Sequence, residues 1–189
     1  MKNPKRIILA ITGASGAVYG LRALDILKAL GYEVHLIVSP MGARIIEQES
    51  EFKAQQVYDK ADFLHQAGNL NASIASGSFH TLGMLVIPCS IKTLSGIANS
   101  YAENLIQRAG DVCLKEGRPL LLAVRETPLH SIHLKLMLRA SQSGAIIFPP
   151  VPTFYDRPQT IDDIISASVG RMLARIGIHN DLYEAWEED

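Results

Sequence analysis

Apolar residues gather in five short blocks along this 189-residue chain. RIILAIT (6–12), EVHLIV (33–38), MLVIP (84–88), PLLLAV (119–124) and AIIFPP (145–150) run nearly uninterrupted instead of alternating with polar positions. Such runs fit strands covered on both faces, as in a parallel sheet flanked by helices. Between the blocks the apolar spacing becomes helical. Ala17 to Leu30 stops at Gly31, Ala102 to Glu116 at Gly117, and His130 to Ser143 at Gly144, with glycine in the usual place beyond a last turn. Thr160, followed by Asp162 and Asp163, opens a fourth helix, because a hydroxyl and first-turn carboxylates answer the unpaired N–H groups there. Strand and helix in alternation predict a doubly wound α/β architecture. The loop predicted to be longest is 69–77, and the acidic end 184–189 is expected to fray.

Composition narrows the picture. With 48% hydrophobic residues, a chain of this length fits one domain over 1–189. It can bury about 70% of its unfolded surface and needs neither disulfide nor metal to fold. A net charge of -1 supplies no broad attraction to nucleic acid or to an anionic membrane, so any bound anion must be held by a few local groups. Two cysteines, Cys89 and Cys113, point to a reducing compartment, with the cytoplasm as the default. The opening MKNPKRIILAITGASGA has the basic start of a signal peptide. Its apolar core, Ile7 to Ile11, is too short for one and reads as a first strand. No stretch approaches the roughly 18 apolar residues of a membrane span.

In sheets of this kind ligands sit outside the carboxyl ends of the strands. Those ends carry Gly13-Ala14-Ser15-Gly16, Ser39-Pro40, Cys89-Ser90-Ile91-Lys92-Thr93, Arg125-Glu126-Thr127-Pro128 and a proline-rich segment reaching Tyr155. TGASGAVYG, between strand and helix, reads as an anion cradle or as an ordinary tight turn. It is a poor dinucleotide fingerprint, because Ser39 stands where a ribose-binding carboxylate would end the second strand. No Tyr has a Lys four residues later, which argues against a short-chain dehydrogenase. Ser90 and Thr93 suit a helix cap. Cys89 lacks a recognisable base and reads as a small buried residue. His130 and His133 share a helix but find no third ligand, so no metal is expected. Arg171 lies mid-helix in an otherwise apolar pattern and reads as a surface residue. Arg125 beside Glu126, at the end of a buried strand, is on pattern alone equally a structural ion pair or a functional one.

Taken in order, GASGAVYG, the strand-end Ser39, PCSIKTLSGI, VRETPLH and PPVPTFYDRP resemble the UbiX-type flavin prenyltransferases, from about Arg6 to Trp186. The resemblance implies a Rossmann-like, flavodoxin-like subunit of a three-layer fold in a homo-oligomer, often a dodecamer, with sites at subunit interfaces. It implies a metal-independent reaction joining reduced FMN to dimethylallyl monophosphate at flavin N5 and C6, and a separate decarboxylase that uses the prenylated FMN, in ubiquinone or aromatic-acid metabolism. Carried over by residue, Gly13, Ala14, Ser15, Ser39, Ser90, Ile91, Lys92, Thr93 and Arg125 are expected at FMN. Ser15, Glu126 and Glu49 are expected at the reacting flavin edge. Lys115, Tyr155 and Arg171 are expected to grip the prenyl phosphate, with Arg108 from a neighbouring subunit and Trp186 closing over the site. Two rivals stand beside this reading. One is an FMN-dependent cysteine-type decarboxylase, against which the segment 88–93 argues because it lacks a PASANT-like motif. The other is a non-catalytic FMN carrier.

Overall fold

The structure, a computed structural model, describes residues 5–183. Six strands, β1 (Arg6–Ile11), β2 (Glu33–Val38), β3 (Phe63–Gln66), β4 (Met84–Cys89), β5 (Leu120–Val124) and β6 (Ile146–Ile147), form one sheet in the order β3-β2-β1-β4-β5-β6. Every pairing is parallel. Its faces are covered by α1 (Ala17–Ala29), α2 (Pro40–Glu49), α3 (Ala54–Tyr58), α4 (Ile91–Ala98), α5 (Leu105–Lys115), α6 (Ser131–Gln142) and α7 (Ile161–Arg175). The chain winds outward from β1 to β3, returns to the centre at β4 and winds the other way. With six strands this is the Rossmann order; without the four-residue edge strand β3 it is the flavodoxin order. The expected fold class is therefore the observed one.

Both faces of the sheet are buried, which is why its sequence blocks show no polar alternation. Ile7, Leu9 and Ile11 point to the layer of α1 and α7, where Leu24, Leu27, Val169, Met172 and Leu173 meet them. Ile8 and Ala10 point the other way, toward Leu94 and Ile97 of α4 and Leu105, Ile106 and Ala109 of α5. One polar island interrupts the second layer. His35, 3% exposed, stacks on Phe63 and lies 2.9 Å through Nδ1 from His65 Nε2, while its Nε2 is 3.1 Å from a Glu33 carboxylate oxygen.

Local chemistry explains where the elements depart from expectation. β6 ends at Ile147, short of the expected 145–150, because Pro149 and Pro150 offer no N–H to a ladder. The second expected helix, 102–116, starts only at Leu105, where the Asn104 side chain accepts the Gln107 N–H at 3.1 Å. α2 begins directly at the end of β2, with the Ser39 hydroxyl accepting the Gly42 N–H at 2.9 Å and Pro40 in its first turn. α3 and β3 also form where no element was expected, and α4 follows the helix cap expected at Ser90. Within 69–77 a 3₁₀ turn, Ser73–Ala75, receives the Arg108 guanidinium at the Ala75 carbonyl. α6 buries only Ala140, leaving Ile132, Leu134 and Leu138 more than half exposed. Among the described residues no helix is long and apolar enough to cross a membrane.

Candidate active site

The strand order reverses between β1 and β4, and a crevice opens there beyond the strand ends. Backbone pairing of β1 with β4 runs through Ile8–Met84, Leu9–Leu85 and Ala10–Val86 and then stops. Pro88 has no N–H to continue it, and the β4–β5 register shifts between Val86 and Cys89. Beyond that point the ends are tied individually. Ser39 N–H donates to the Ile11 carbonyl at 3.0 Å, Thr12 N–H to the Pro88 carbonyl at 3.3 Å, and Arg125 N–H to the Cys89 carbonyl at 3.1 Å. The Thr12 hydroxyl, 1% exposed, donates to Pro88 at 2.7 Å and accepts the Ser90 N–H at 2.8 Å. Ser90 then caps α4, its hydroxyl accepting the Thr93 N–H.

Two clefts adjoin along this edge and share Gly13 and Ser90 as a dividing ridge. One, of about 490 Å³, is lined by Gly13 to Ser15, Ser90 and Ile91, Val124 to Thr127, and Pro149 to Val151. The other, of about 730 Å³, is lined by Ser39, Pro40, Met41, Arg44, Lys92, Thr93, Glu103 and Asn104, among others. Both volumes are of cofactor size. The first has mixed walls, setting the Arg125 guanidinium and the Glu126 carboxylate beside Val124, Pro149 and Val151. The second has the more apolar walls, with Met41, Ala67 and Ile106, and adds hydroxyls, the Arg44 and Lys92 cations, the Glu103 carboxylate and the N-termini of α2 and α4; its hydroxyls, cations and helix ends suit a phosphate-bearing chain. A mononucleotide spanning the ridge fits that division. Close approach at the ridge requires glycine: a Cβ on Gly13 would lie 2.6 Å from Met41 Cβ.

The anion cradle read from TGASG is filled from within. The carboxylate of Glu49, at the end of α2, accepts the Gly16 N–H at 2.7 Å and the Ala17 N–H at 2.9 Å, so it caps α1 across 33 residues. Burial would raise its pKa, but the Ser15 hydroxyl, these two N–H groups and the charge of Arg125 outweigh it and hold the carboxyl below its ordinary value. Arg125 runs alongside this turn; a Cβ on Gly16, whose φ is +99°, would lie 2.8 Å from Arg125 Cδ. The turn thus offers side chains and the 13–15 backbone to a ligand, while the α1 N-terminus is already spoken for. Cys89 is wholly buried and its thiol pushed far up, as expected of a packing residue.

Within one chain the structure brings together Gly13, Ala14, Ser15, Ser39, Glu49, Ser90, Ile91, Lys92, Thr93, Arg125 and Glu126. Lys92, largely exposed, pairs with Glu103 at 3.3 Å. The other expected residues within the described part line neither cleft. α5 runs from the strand ends back to the opposite edge of the sheet, where Lys115 pairs with Glu116 beside Gly77. Arg108 lies between, against Ala75 and paired with Asp111 at 3.3 Å. Arg171 is exposed on α7, across the sheet from α5. Tyr155 is 55% exposed on the connection after β6. Trp186 lies outside the described residues, as does the acidic end beginning at Glu184. His130 caps α6 and its ring lies 3.6 Å, centroid to centroid, from that of His133. Sequence reading missed Thr12, Arg44 and Glu103. For Arg44 the signal was present in the Ser39 cap followed by Met41 and Ile45 at helical spacing.

The Flavoprotein family model matches residues 1–173. The flavin prenyltransferase UbiX of Escherichia coli K12 is 50% identical over 186 residues, covering 97% of this chain and 98% of that one. AnUbiX (PadA1), solved in complex with FMN and dimethylallyl pyrophosphate, superposes with a TM-score of 0.96 at 42% identity, covering 98% of this chain and 99% of that one. A dodecameric FMN-dependent UbiX-like decarboxylase from Escherichia coli O157:H7 gives a TM-score of 0.94 at 44% identity, covering 97% and 100%. By sequence along nearly its whole length, and by fold, the chain belongs to the UbiX-type flavin prenyltransferases within the Flavoprotein family.

Proposed function

We propose that the protein transfers a dimethylallyl group from its phosphate ester to N5 and C6 of reduced FMN, releasing phosphate and giving prenylated FMN, without a metal ion. The observation that carries this reading is the paired cleft, with Arg125 and Glu126 on one wall, in a chain half-identical to a flavin prenyltransferase. Reduced FMN supplies the electron-rich ring that accepts the allyl group. Gly13, Ala14, Ser15, Ser90, Ile91 and Arg125 hold the ring side, and Ser39, Lys92 and Thr93 hold the phosphate-bearing chain. Glu126, exposed at the mouth, takes the proton that leaves C6. Glu49, held ionised, orients the Ser15 hydroxyl through their hydrogen bond.

The departing phosphate needs fixed cations where its charge develops. Arg108, Lys115 and Arg171 carry that role, the Tyr155 hydroxyl adds a hydrogen-bond donor, and Trp186 closes over the site. The separation of Arg108, Lys115 and Arg171 within one chain supports a site completed by neighbouring copies in a homo-oligomer, of which the exposed apolar side of α6 is a natural contact surface. The dodecamer of the Escherichia coli relative is the assembly proposed here too. The cytoplasm is the proposed compartment, and a prenylated-FMN-dependent decarboxylase the proposed consumer of the product.

Anaerobic incubation with reduced FMN and dimethylallyl monophosphate, then mass analysis of the extracted flavin, tests the reading. A parallel arm uses the diphosphate, because the AnUbiX complex contains it. A gain of one C₅H₈ unit is expected. Unmodified FMN from FMN-loaded, folded protein in both arms rejects it.

A further inference from the structure

The two cleft walls contributed by β1 and β4 belong to strands whose backbone ladder has already ended. Pairing stops at Ala10–Val86. The next β4 positions are Ile87, then Pro88, which cannot donate, and the adjacent β4–β5 register shifts before Cys89. Beyond the 3.3 Å backbone bond from Thr12 N–H to the Pro88 carbonyl, one side chain spans the gap. The Thr12 hydroxyl donates to the Pro88 carbonyl at 2.7 Å and accepts the Ser90 N–H at 2.8 Å. The next backbone unit on one side is Gly13, and on the other is Ser90 itself, the two residues that line both clefts. Ser90 passes the constraint onward, since its hydroxyl donates to Thr93 Oγ1 at 3.2 Å and accepts the Thr93 N–H at 3.4 Å. Thr12 is 1% exposed, so no water replaces the hydroxyl when it is lost.

We infer that Thr12 is a positioning residue for the flavin: its hydroxyl sets the spacing and tilt of the Gly13–Ser15 wall against the Ser90–Thr93 wall. It touches neither cleft and acts through Gly13 and Ser90. Thr12 is not among the residues expected at FMN from the family resemblance, because nothing in a threonine after an apolar run announces a bond across 76 residues. Without the hydroxyl, Pro88 retains only the 3.3 Å bond from Thr12 N–H, and the Ser90 N–H has no partner. The β4 end and the α4 cap are then free to move apart from β1, and the ridge moves with them.

This inference rests on the FMN reading of the clefts, so the test separates the two. FMN is titrated into the deflavinated, assembled full-length protein, and the Kd and visible circular dichroism of the bound flavin are recorded for the wild type, Thr12→Val and Thr12→Ser. Valine keeps the shape and removes the hydroxyl; serine keeps the hydroxyl. Thr12→Val is expected to weaken FMN about 10-fold, equivalent to about 1.4 kcal/mol, and to change the dichroic bands, because the ridge is no longer held in the binding geometry. Thr12→Ser is expected to restore both toward wild type. A Thr12→Val protein with wild-type Kd and bands overturns the inference, even where its unfolding midpoint falls, because that is what a merely structural hydroxyl would give. Should Thr12→Val fail to fold, Thr12→Ser against Thr12→Cys makes the same comparison with a weaker donor. Wild-type protein that binds no FMN rejects the reading beneath, whereas one that binds FMN without prenylating it leaves this comparison intact.

Discussion

Removing the Glu49 carboxylate exposes how much of the fold hangs on one cap supplied from a distance. Its oxygen accepts the Gly16 N–H at 2.7 Å and the Ala17 N–H at 2.9 Å, and Ser15 adds a hydroxyl. A hydrogen bond to a charged group contributes about 1.5–3 kcal/mol, and a carboxylate at a helix N-terminus adds up to about 2 kcal/mol in a partly buried setting. These contributions share one group and do not sum, so Glu49→Ala is expected to cost about 2–4 kcal/mol. Glu49→Gln, which keeps one acceptor oxygen, is expected to cost about half of that. For a chain of this size, Glu49→Ala should lower the melting midpoint by about 5–15 °C. Scanning calorimetry and denaturant titration of flavin-free protein at one fixed protomer concentration read this directly. The pH dependence follows from the sign of the shift. Burial alone would raise this pKa, but the donors and Arg125 bring it below its ordinary 4.5, so the unfolded chain binds the proton more tightly. Stability from Glu49 is therefore present in full above about pH 4.5 and lost as pH falls through the lower folded value. The gap between wild type and Glu49→Gln should be widest near neutrality and close on acidification. Equal stability of wild type and Glu49→Ala at neutral pH would refute the capping account, as would a gap that persists once the carboxyl is protonated.

Other outcomes follow from the same geometry. Glu126→Gln should keep FMN affinity while abolishing the C₅H₈ gain in the extracted flavin; unchanged turnover would remove its role as base. Gly20→Ala pushes a Cβ into the backbone carbonyl of Ile87, which cannot step aside, and should cost about 1–3 kcal/mol of overpacking less about 1 kcal/mol of regained helix propensity, measured by denaturant titration. Ile132→Glu with Leu138→Glu on α6 should shift the protein to smaller assemblies in light scattering. Burial first, then the charge of His35, lowers the His65 pKa from 6.5. Its contribution to stability is thus complete above about that pH and declines as pH falls through the folded value, so His65→Phe should flatten this acid limb.

Strands buried on both faces, such as β1, β4 and β5, were legible because each announced itself as an unbroken apolar run. β3 was not: it is four residues long, lies at the sheet edge, and leaves Phe63 and Leu64 about half exposed, so its sequence carries no burial pattern. α4 spans eight residues and α3 five, too few for helical periodicity to stand out. The strand-end residues were legible as a group, since doubly wound sheets place ligands there whatever the ligand is. Their partners were not. Glu49 as the cap of α1 and Thr12 as the tie to Ser90 depend on bonds across 33 and 78 residues, which local pattern does not encode. Arg125 and Glu126 were visible as a charged pair. Their different surroundings, one against the Gly16 turn and one open to the cleft mouth, came only with the fold.

The separation of Lys115 from Glu126, at opposite edges of one sheet, has a genetic consequence for the shared site proposed above. A chain broken only at Lys115 still carries an intact Glu126 edge, and a chain broken only at Glu126 still carries an intact Lys115 edge. Co-assembled from denaturant, two variants that are each silent should regenerate some sites in which both edges are sound. Two lesions on the same edge, such as Arg125 and Glu126, have no such remedy. Intragenic complementation then becomes a map, sorting every inactivating mutation by the side of the contact on which it falls.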